Sequence, residues 1–138
     1  MTTFETHSPE ETEQLAAECA KHLQAGDIVG FRGDLGMGKT VFTRGLARGL
    51  GFDGDVSSPT FALIHEYLGG RLPLCHMDAY RLDGPDDLFE TGFYDYLDDG
   101  WVIAVEWNER LGLEAALSVT IERVDDTTRR IGLEGKGY

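Results

Sequence analysis

Basic residues are scarce in this chain of 138 residues, and lysine is the scarcest of them. Three lysines and nine arginines stand against 25 aspartates and glutamates, which leaves a formal net charge of −13 at pH 7. Proteins that bind nucleic acids need a cationic surface to neutralise the phosphates. The shortage therefore argues against direct high-affinity binding to RNA or DNA, while an acidic surface suits docking to a basic protein partner.

Cysteine and long apolar runs are equally sparse. Cys19 and Cys75 are the two cysteines, and each lies in an apolar pattern without the spacing of a metal site, so we predict buried thiols in a reducing cytoplasm. No apolar stretch approaches the roughly 18 residues of a membrane span, and the N-terminus does not have the pattern of a signal peptide. These absences predict a cytoplasmic protein with no membrane association. The length predicts a single domain over residues 1–138.

The chain does contain a Gly-rich phosphate-binding motif. Residues 33–40, GDLGMGKT, fit the P-loop pattern G-x-x-x-x-G-K-[ST]. The glycines let backbone N–H groups approach phosphate oxygens, Lys39 brings a charge to the β- and γ-phosphates, and the Thr40 hydroxyl can bind Mg²⁺. A strand pattern precedes the motif, and an amphipathic helix pattern follows it and adds its positive end to the anion site. We predict nucleotide contacts from Gly33, Asp34, Leu35, Gly36, Met37, Gly38, Lys39, Thr40 and Val41.

Strand and helix signals alternate along the chain. The first helix begins with Ser8 as N-cap, Pro9 at the first helical position and Glu11 closing a capping box. Strand patterns over residues 62–68 and 72–77 are joined through a Gly-Gly pair, which predicts an antiparallel hairpin with a two-residue turn.

Further strand patterns occupy the C-terminal half. A short helix begins at Gly84, and residues 101–105 form the most continuously apolar run, which indicates a strand buried on both faces. Two tail strands, 117–124 and 129–133, surround a turn. The mixture predicts an α/β protein: a P-loop NTPase-like three-layer fold with a mixed parallel and antiparallel central sheet.

Two acidic residues are candidates for the metal-holding carboxylate that hydrolysis requires. Glu106 ends the apolar run and is the better match by hydrophobicity, whereas Asp78 ends a more broken strand that carries His76. Either could reach Mg²⁺ directly or through a water. The pattern leaves both open, and the alternative for each is an exposed acid at a strand end.

Other polar residues support weaker hypotheses. Thr60, in Ser58-Pro59-Thr60, is placed to sense the γ-phosphate from a switch loop or to cap an ordinary Pro-containing turn. His65 and His76 are interpreted as strand side chains. Arg81 either stabilises phosphate charge or forms a surface ion pair.

Four motifs in register make the chain similar to a known family. GDLG within the P-loop, SPTF at residues 58–61, HMDAYRL at 76–82 and VEW at 105–107 resemble the TsaE (YjeE) family over roughly residues 8–133. TsaE proteins are small bacterial ATPases that work with TsaB, TsaC and TsaD to make N6-threonylcarbamoyladenosine (t6A) in tRNAs that read codons beginning with A. The resemblance implies ATP and Mg²⁺ as cofactors, a TsaB–TsaD complex as the partner, and a role in resetting that complex between rounds.

The resemblance also implies a role for individual residues. Thr40 and Glu106 would be the protein ligands of Mg²⁺, and Asp78 would sit beside the γ-phosphate as the other acid, so that Asp78, Glu106 and Lys39 form the catalytic group. Residues that would border the adenine are Ser8, Pro9 and either Arg129 or Arg130. Asn108 departs from the family, because many relatives carry proline there.

Three other nucleotide-dependent functions are alternatives to an ATPase. A small P-loop kinase that phosphorylates a nucleoside or metabolite is the main alternative, although the segment between Tyr80 and Trp101 holds Arg81 alone where a kinase lid would be rich in arginine. A non-catalytic adaptor gated by nucleotide is the second. A GTPase is disfavoured because the chain has no Asn-Lys-x-Asp motif.

Overall fold

A computed structural model describes residues 1–32, 38–54, 64–79, 81–106 and 111–138. The predictions for Gly33, Asp34, Leu35, Gly36, Met37, Thr60 and Asn108 lie outside the described residues. Within these ranges the helices are α1 (Pro9–Ala20), α2 (Lys39–Gly49), α3 (Pro85–Glu90) and α4 (Phe93–Asp98). The strands are β1 (Thr2–Thr6), β2 (Ile28–Arg32), β3 (Ile64–Tyr67), β4 (Leu74–Asp78), β5 (Val102–Glu106), β6 (Leu117–Arg123) and β7 (Arg129–Gly135).

All seven strands form one sheet in the order β1-β7-β6-β2-β5-β4-β3. The four central strands are parallel, since β2 pairs with both β5 and β6 and β4 pairs with β5. The outer pairs β1–β7, β6–β7 and β3–β4 are antiparallel. This is the predicted mixed sheet. Its parallel centre requires crossover connections, whereas β3–β4 and β6–β7 are hairpins and the edge strand β1 pairs with β7 from the other end of the chain.

Helices cover the two faces of the sheet. Alternate residues of β5 point to opposite sides: Val102 and Ala104 join the core beneath α1 and α2, and Ile103 and Val105 join the core beneath α3 and α4. All four side chains are fully buried, which explains why this stretch of sequence is continuously apolar. The predicted three-layer architecture is thereby confirmed.

The start of α1 follows its sequence signals closely. Ser8 is the N-cap and its hydroxyl accepts the Glu11 N–H at 3.2 Å. The Glu11 carboxylate accepts the N–H of His7 at 3.1 Å, one residue before the N-cap residue that a standard capping box would use.

The Gly-Gly pair between β3 and β4 does not form the predicted two-residue turn. The strands are antiparallel as predicted, but the connection runs from residue 68 to 73. A Cβ on Gly70 would lie 2.4 Å from the carbonyl oxygen of Leu50. This glycine therefore allows the connection to pass close against the end of α2.

Two elements carry signals too weak to have been predicted. β1 is a short, mostly exposed edge strand without clear apolar alternation. α4 has six residues and follows Gly92, whose φ of 88° lies in the left-handed region. Their position is decided by pairing with β7 and by burial of Phe93, both of which are long-range contacts.

Both cysteines are free and buried, as predicted, and burial raises the pKa of the Cys75 thiol to about 12. Among the described residues, no helix reaches the length and apolarity that crossing a bilayer requires.

Helix α2 is held against α1 by two close glycine contacts. A Cβ on Gly45 would lie 2.3 Å from the Glu13 carbonyl oxygen and 2.6 Å from the Ala16 Cβ. Gly49, one turn later, meets Ala20 in the same way. Because α2 begins with Lys39, this packing also sets where the P-loop helix starts.

We expect Gly45→Ala to lower the free energy of unfolding by about 1–3 kcal/mol, because the added methyl overpacks a backbone contact. Alanine is the better helix former by roughly 1 kcal/mol, so a destabilised variant would isolate the packing effect. Urea unfolding measures it, with Gln14→Ala as the control because Gln14 is exposed in the interior of α1, where alanine adds no contact. Equal stability of the two variants would contradict this account.

Candidate functional site

The candidate site lies where the carboxyl ends of the parallel strands meet the start of α2. In the β2–β5 register Phe31 is opposite Glu106, and in the β4–β5 register Asp78 is opposite Glu106. The sheet topology thus places both predicted acids side by side at one edge. Glu106 lies on the strand directly beside β2, which leads into the P-loop, and Asp78 lies one strand farther away.

Helix α2 faces this edge with its amino end. Gly38 is the N-cap with a φ of 106°, in the left-handed region that favours glycine, and its carbonyl accepts the Phe42 N–H at 2.8 Å. Ile121 packs against Gly38, since a Cβ there would lie 3.1 Å from the Ile121 Cγ2. Gly38 has no side chain to cap the first turn, so this helix end suits an external anion.

A buried ion pair connects the helix to the strand edge. The Lys39 Nζ lies 3.4 Å from the Glu106 Oε1, and these side chains are 6% and 15% exposed. Burial alone raises the pKa of the Glu106 carboxyl, but the His76 imidazole and the Lys39 ammonium favour the charged form more strongly, so the pKa is lowered. Glu106 is therefore an anion in spite of its burial.

His76 is a site residue that the sequence interpretation missed. Its ring is 1% exposed, its Nε2 lies 3.6 Å from the Glu106 Oε2, and neither ring nitrogen has a hydrogen-bond partner in the described part of the chain. The signal was present, because residues two apart on a strand share a face, and His76 precedes Asp78 by two. The interpretation as a strand side chain was correct in location and incomplete in role.

A cavity of about 340 Å³ opens beside the start of α2. Its lining brings together Ser8, Pro9 and Arg129, which were predicted to border the adenine, and Gly38 and Val41, which were predicted as nucleotide contacts of the P-loop and its helix. The Arg129 guanidinium donates to the carbonyls of Asp125 and Thr128, at 2.8 and 3.1 Å. These bonds hold the arginine against the β6–β7 turn, which also borders the cavity.

The structure also places the remaining predicted residues, some at this site and some away from it. Arg130 points away from this cavity and pairs with Glu122 at 3.3 Å, so of the two arginines only Arg129 lies beside Ser8 and Pro9. Thr40 follows Lys39 in the first turn of α2 and is half-buried, whereas Arg81 is exposed. The structure therefore brings Lys39, Thr40, Asp78 and Glu106 to one edge.

Comparison with known proteins gives consistent matches over most of the chain. The family model described as Threonylcarbamoyl adenosine biosynthesis protein TsaE matches residues 6–131. The tRNA threonylcarbamoyladenosine biosynthesis protein TsaE of Bacillus subtilis (strain 168) is 41% identical, with 97% of this chain and 85% of the relative covered. Its counterpart in Streptomyces coelicolor is 42% identical, with 83% and 86% covered. Among solved structures, the crystal structure of Bacillus subtilis YdiB matches with a TM-score of 0.76 at 38% identity, covering 99% of this chain and 86% of that one.

Proposed function

Since this chain belongs to the TsaE family of threonylcarbamoyl adenosine biosynthesis proteins, we propose that it is the Mg²⁺-dependent ATPase of that pathway. In this proposal it acts with TsaB and TsaD in forming t6A in ANN-decoding tRNAs, and its hydrolysis of ATP resets the TsaB–TsaD complex between rounds. The observation that carries the ATPase assignment is the buried Lys39–Glu106 pair at the amino end of α2.

Lys39 and the first turn of α2 would hold the triphosphate. The Lys39 ammonium is almost completely buried, so its attraction to phosphate oxygens is screened less than at a surface. Gly38 leaves the N–H groups of this turn without a side-chain cap, and the helix dipole adds to their effect. Both features bind a polyanion rather than a neutral metabolite.

The donor set at the strand edge fits Mg²⁺. Carboxylate and hydroxyl oxygens are the hard ligands that Mg²⁺ takes, and it needs only one or two carboxylates beside phosphates and waters. Glu106 is charged and lies beside Lys39, and Asp78 is opposite Glu106 in the β4–β5 register. Thr40 follows Lys39 in the chain. Glu106 and Thr40 would hold the ion, with Asp78 beside the γ-phosphate. Bound there, Mg²⁺ would neutralise charge on the phosphates.

The cavity between α1, α2 and the β6–β7 turn would receive the adenosine. Its volume of about 340 Å³ is at the lower end of what ligand pockets measure. Pro9 and Val41 offer apolar surface for a base, and Gly38 joins this cavity to the phosphate-binding turn. This arrangement supports a nucleotide over inorganic phosphate as the ligand.

The experiment that tests the proposal is ATP turnover with and without a purified TsaB–TsaD pair. We expect slow hydrolysis by the chain alone and a rate that rises about tenfold or more with the pair, because a partner that completes the site lowers the barrier by at least ~1.4 kcal/mol. ADP release that requires a small-molecule acceptor would favour the kinase. No hydrolysis with the pair present would favour the adaptor gated by nucleotide.

A further inference from the structure

The corner formed by α3 and α4 exposes two aromatic side chains in contact with each other. Phe89 is 70% exposed and Tyr94 is 39% exposed, and their ring centroids are 6.1 Å apart. Single exposed apolar residues are ordinary on protein surfaces. Two adjoining aromatic rings are less so, because aromatic residues are enriched where proteins contact one another.

The corner is anchored so that these rings stay outside. Leu88 and Phe93, the neighbours of the exposed pair in the chain, are fully buried. Thr91, between the helices, donates to the Leu88 carbonyl at 2.6 Å and accepts the Phe93 N–H at 3.3 Å. The two helices therefore have fixed inner faces, and neither ring can turn into the core without displacing a buried neighbour.

The surface around the rings is strongly acidic. Residues 81–100 hold seven carboxylates and one guanidinium, a net charge of −6, which is nearly half of the net charge of −13 in about one-seventh of the chain. Six of the seven carboxylates are exposed: Asp83, Asp86, Glu90, Asp95, Asp98 and Asp99. A second copy of this chain would bring like charges together, and phosphates would be repelled. Charge complementarity selects a basic protein surface.

We infer that the α3–α4 corner is the surface on which a protein partner docks, with Phe89 and Tyr94 entering an apolar recess that lysines and arginines surround. The inference rests on the proposed function, for which the TsaB–TsaD pair supplies that partner. Helix α3 begins seven residues after Asp78, and the Thr91 Oγ1 between the two helices lies 3.9 Å from the Sδ of Met77, the residue before Asp78 on β4, so the corner packs against the strand that carries one of the two acids.

The first test measures equilibrium binding of the TsaB–TsaD pair to Phe89→Ser/Tyr94→Ser. We expect the dissociation constant to rise about tenfold or more, the loss typical of removing interface hot spots. The affinity of the isolated variant for ATP should stay within twofold of wild type. Leu68→Ser is the matched control, since Leu68 is 60% exposed on the β3–β4 connection, and it should bind the pair normally.

The second test reverses charge without touching the rings. Glu90 and Asp98 end α3 and α4, where lysine is favourable to the helix dipole, so Glu90→Lys/Asp98→Lys should fold normally. We expect it to bind the pair more weakly and with less dependence on salt than wild type. Glu114→Lys/Glu134→Lys makes the same change in net charge elsewhere and should bind like wild type.

The results of these two tests distinguish failure of the proposed docking surface from failure of the proposed function. Wild-type binding that both corner variants retain within twofold would overturn the docking surface and leave the proposed function standing. Wild-type protein that does not bind the pair would overturn the proposed partner and this inference with it. Sedimentation showing that the corner variants lose self-association instead would assign the surface to a second copy, which also overturns it.

Discussion

Lys39→Ala is expected to lower the affinity for ATP below detection, by about 100-fold or more. The buried ammonium would make charge-assisted hydrogen bonds to phosphate, each worth roughly 1.5–3 kcal/mol, and two of them account for that loss. The substitution also removes the cation 3.4 Å from the Glu106 carboxylate, and a buried anion that has lost this cation repels phosphates. Equilibrium binding of a fluorescent ATP analogue, with Mg²⁺ present, measures the effect.

Lys21→Ala is the matched control for this variant. Lys21 forms an exposed pair with Glu18 on α1, with both side chains more than 60% exposed, so its loss should change neither binding nor folding appreciably. Circular dichroism distinguishes lost binding from lost folding. Near-normal ATP affinity in a folded Lys39→Ala protein would refute the P-loop assignment.

Glu106→Ala should lose Mg²⁺-dependent hydrolysis more than it loses nucleotide binding. A charged carboxylate in a shielded position stabilises the cation where phosphate charge develops, and removing such a group costs about 10²–10³ in rate. We expect the turnover number to fall by about 100-fold, while the dissociation constant for ATP changes by less than about tenfold. Turnover as a function of Mg²⁺ concentration, beside direct binding, separates the two effects.

The same measurements on Asp78→Ala decide the order of the two acids. Glu106 lies beside Lys39 on the strand next to β2, whereas Asp78 lies one strand farther from it, so Glu106 is expected to dominate the Mg²⁺ dependence. Glu122→Ala removes an exposed carboxylate on β6 that pairs with Arg130 and should leave turnover unchanged. If Asp78→Ala alone produced the Mg²⁺-dependent loss, the ranking would be reversed.

Sequence signals were sufficient to predict an element where residues close together in the chain determine its structure. The start of α1 at Ser8 and Pro9 depends on a local bond, because the Ser8 hydroxyl accepts the N–H of Glu11, three residues later. The amphipathic pattern after Lys39 likewise predicted the helix α2. The apolar run of β5 predicted burial on both faces, because each face meets its own layer of helices. The two acids could be found for the same reason, as each directly ends an apolar strand.

The hairpin glycines and His76 have roles that the local sequence does not predict. Gly70 gives the same sequence signal whether it makes a tight turn or lets a loop pass so close to Leu50, the C-cap of α2, that an added Cβ would lie 2.4 Å from the Leu50 carbonyl oxygen. His76 reads as an ordinary strand residue until β5 places Glu106 within 3.6 Å of its ring. Both meanings depend on partners more than 15 positions distant in the chain, which no local pattern encodes.

The amino-acid pattern was therefore enough to predict the mixed α/β sheet and to place a P-loop motif and two candidate acids along the chain, because each is encoded by residues adjacent in the chain. Which acid lies beside the lysine was decided by strand order, since only the insertion of β5 between β2 and β4 makes Glu106 the nearer one. Which of Arg129 and Arg130 lies beside Ser8 and Pro9 was likewise decided by the tertiary structure, because neighbouring strand residues point to opposite faces and only one face borders α1 and α2.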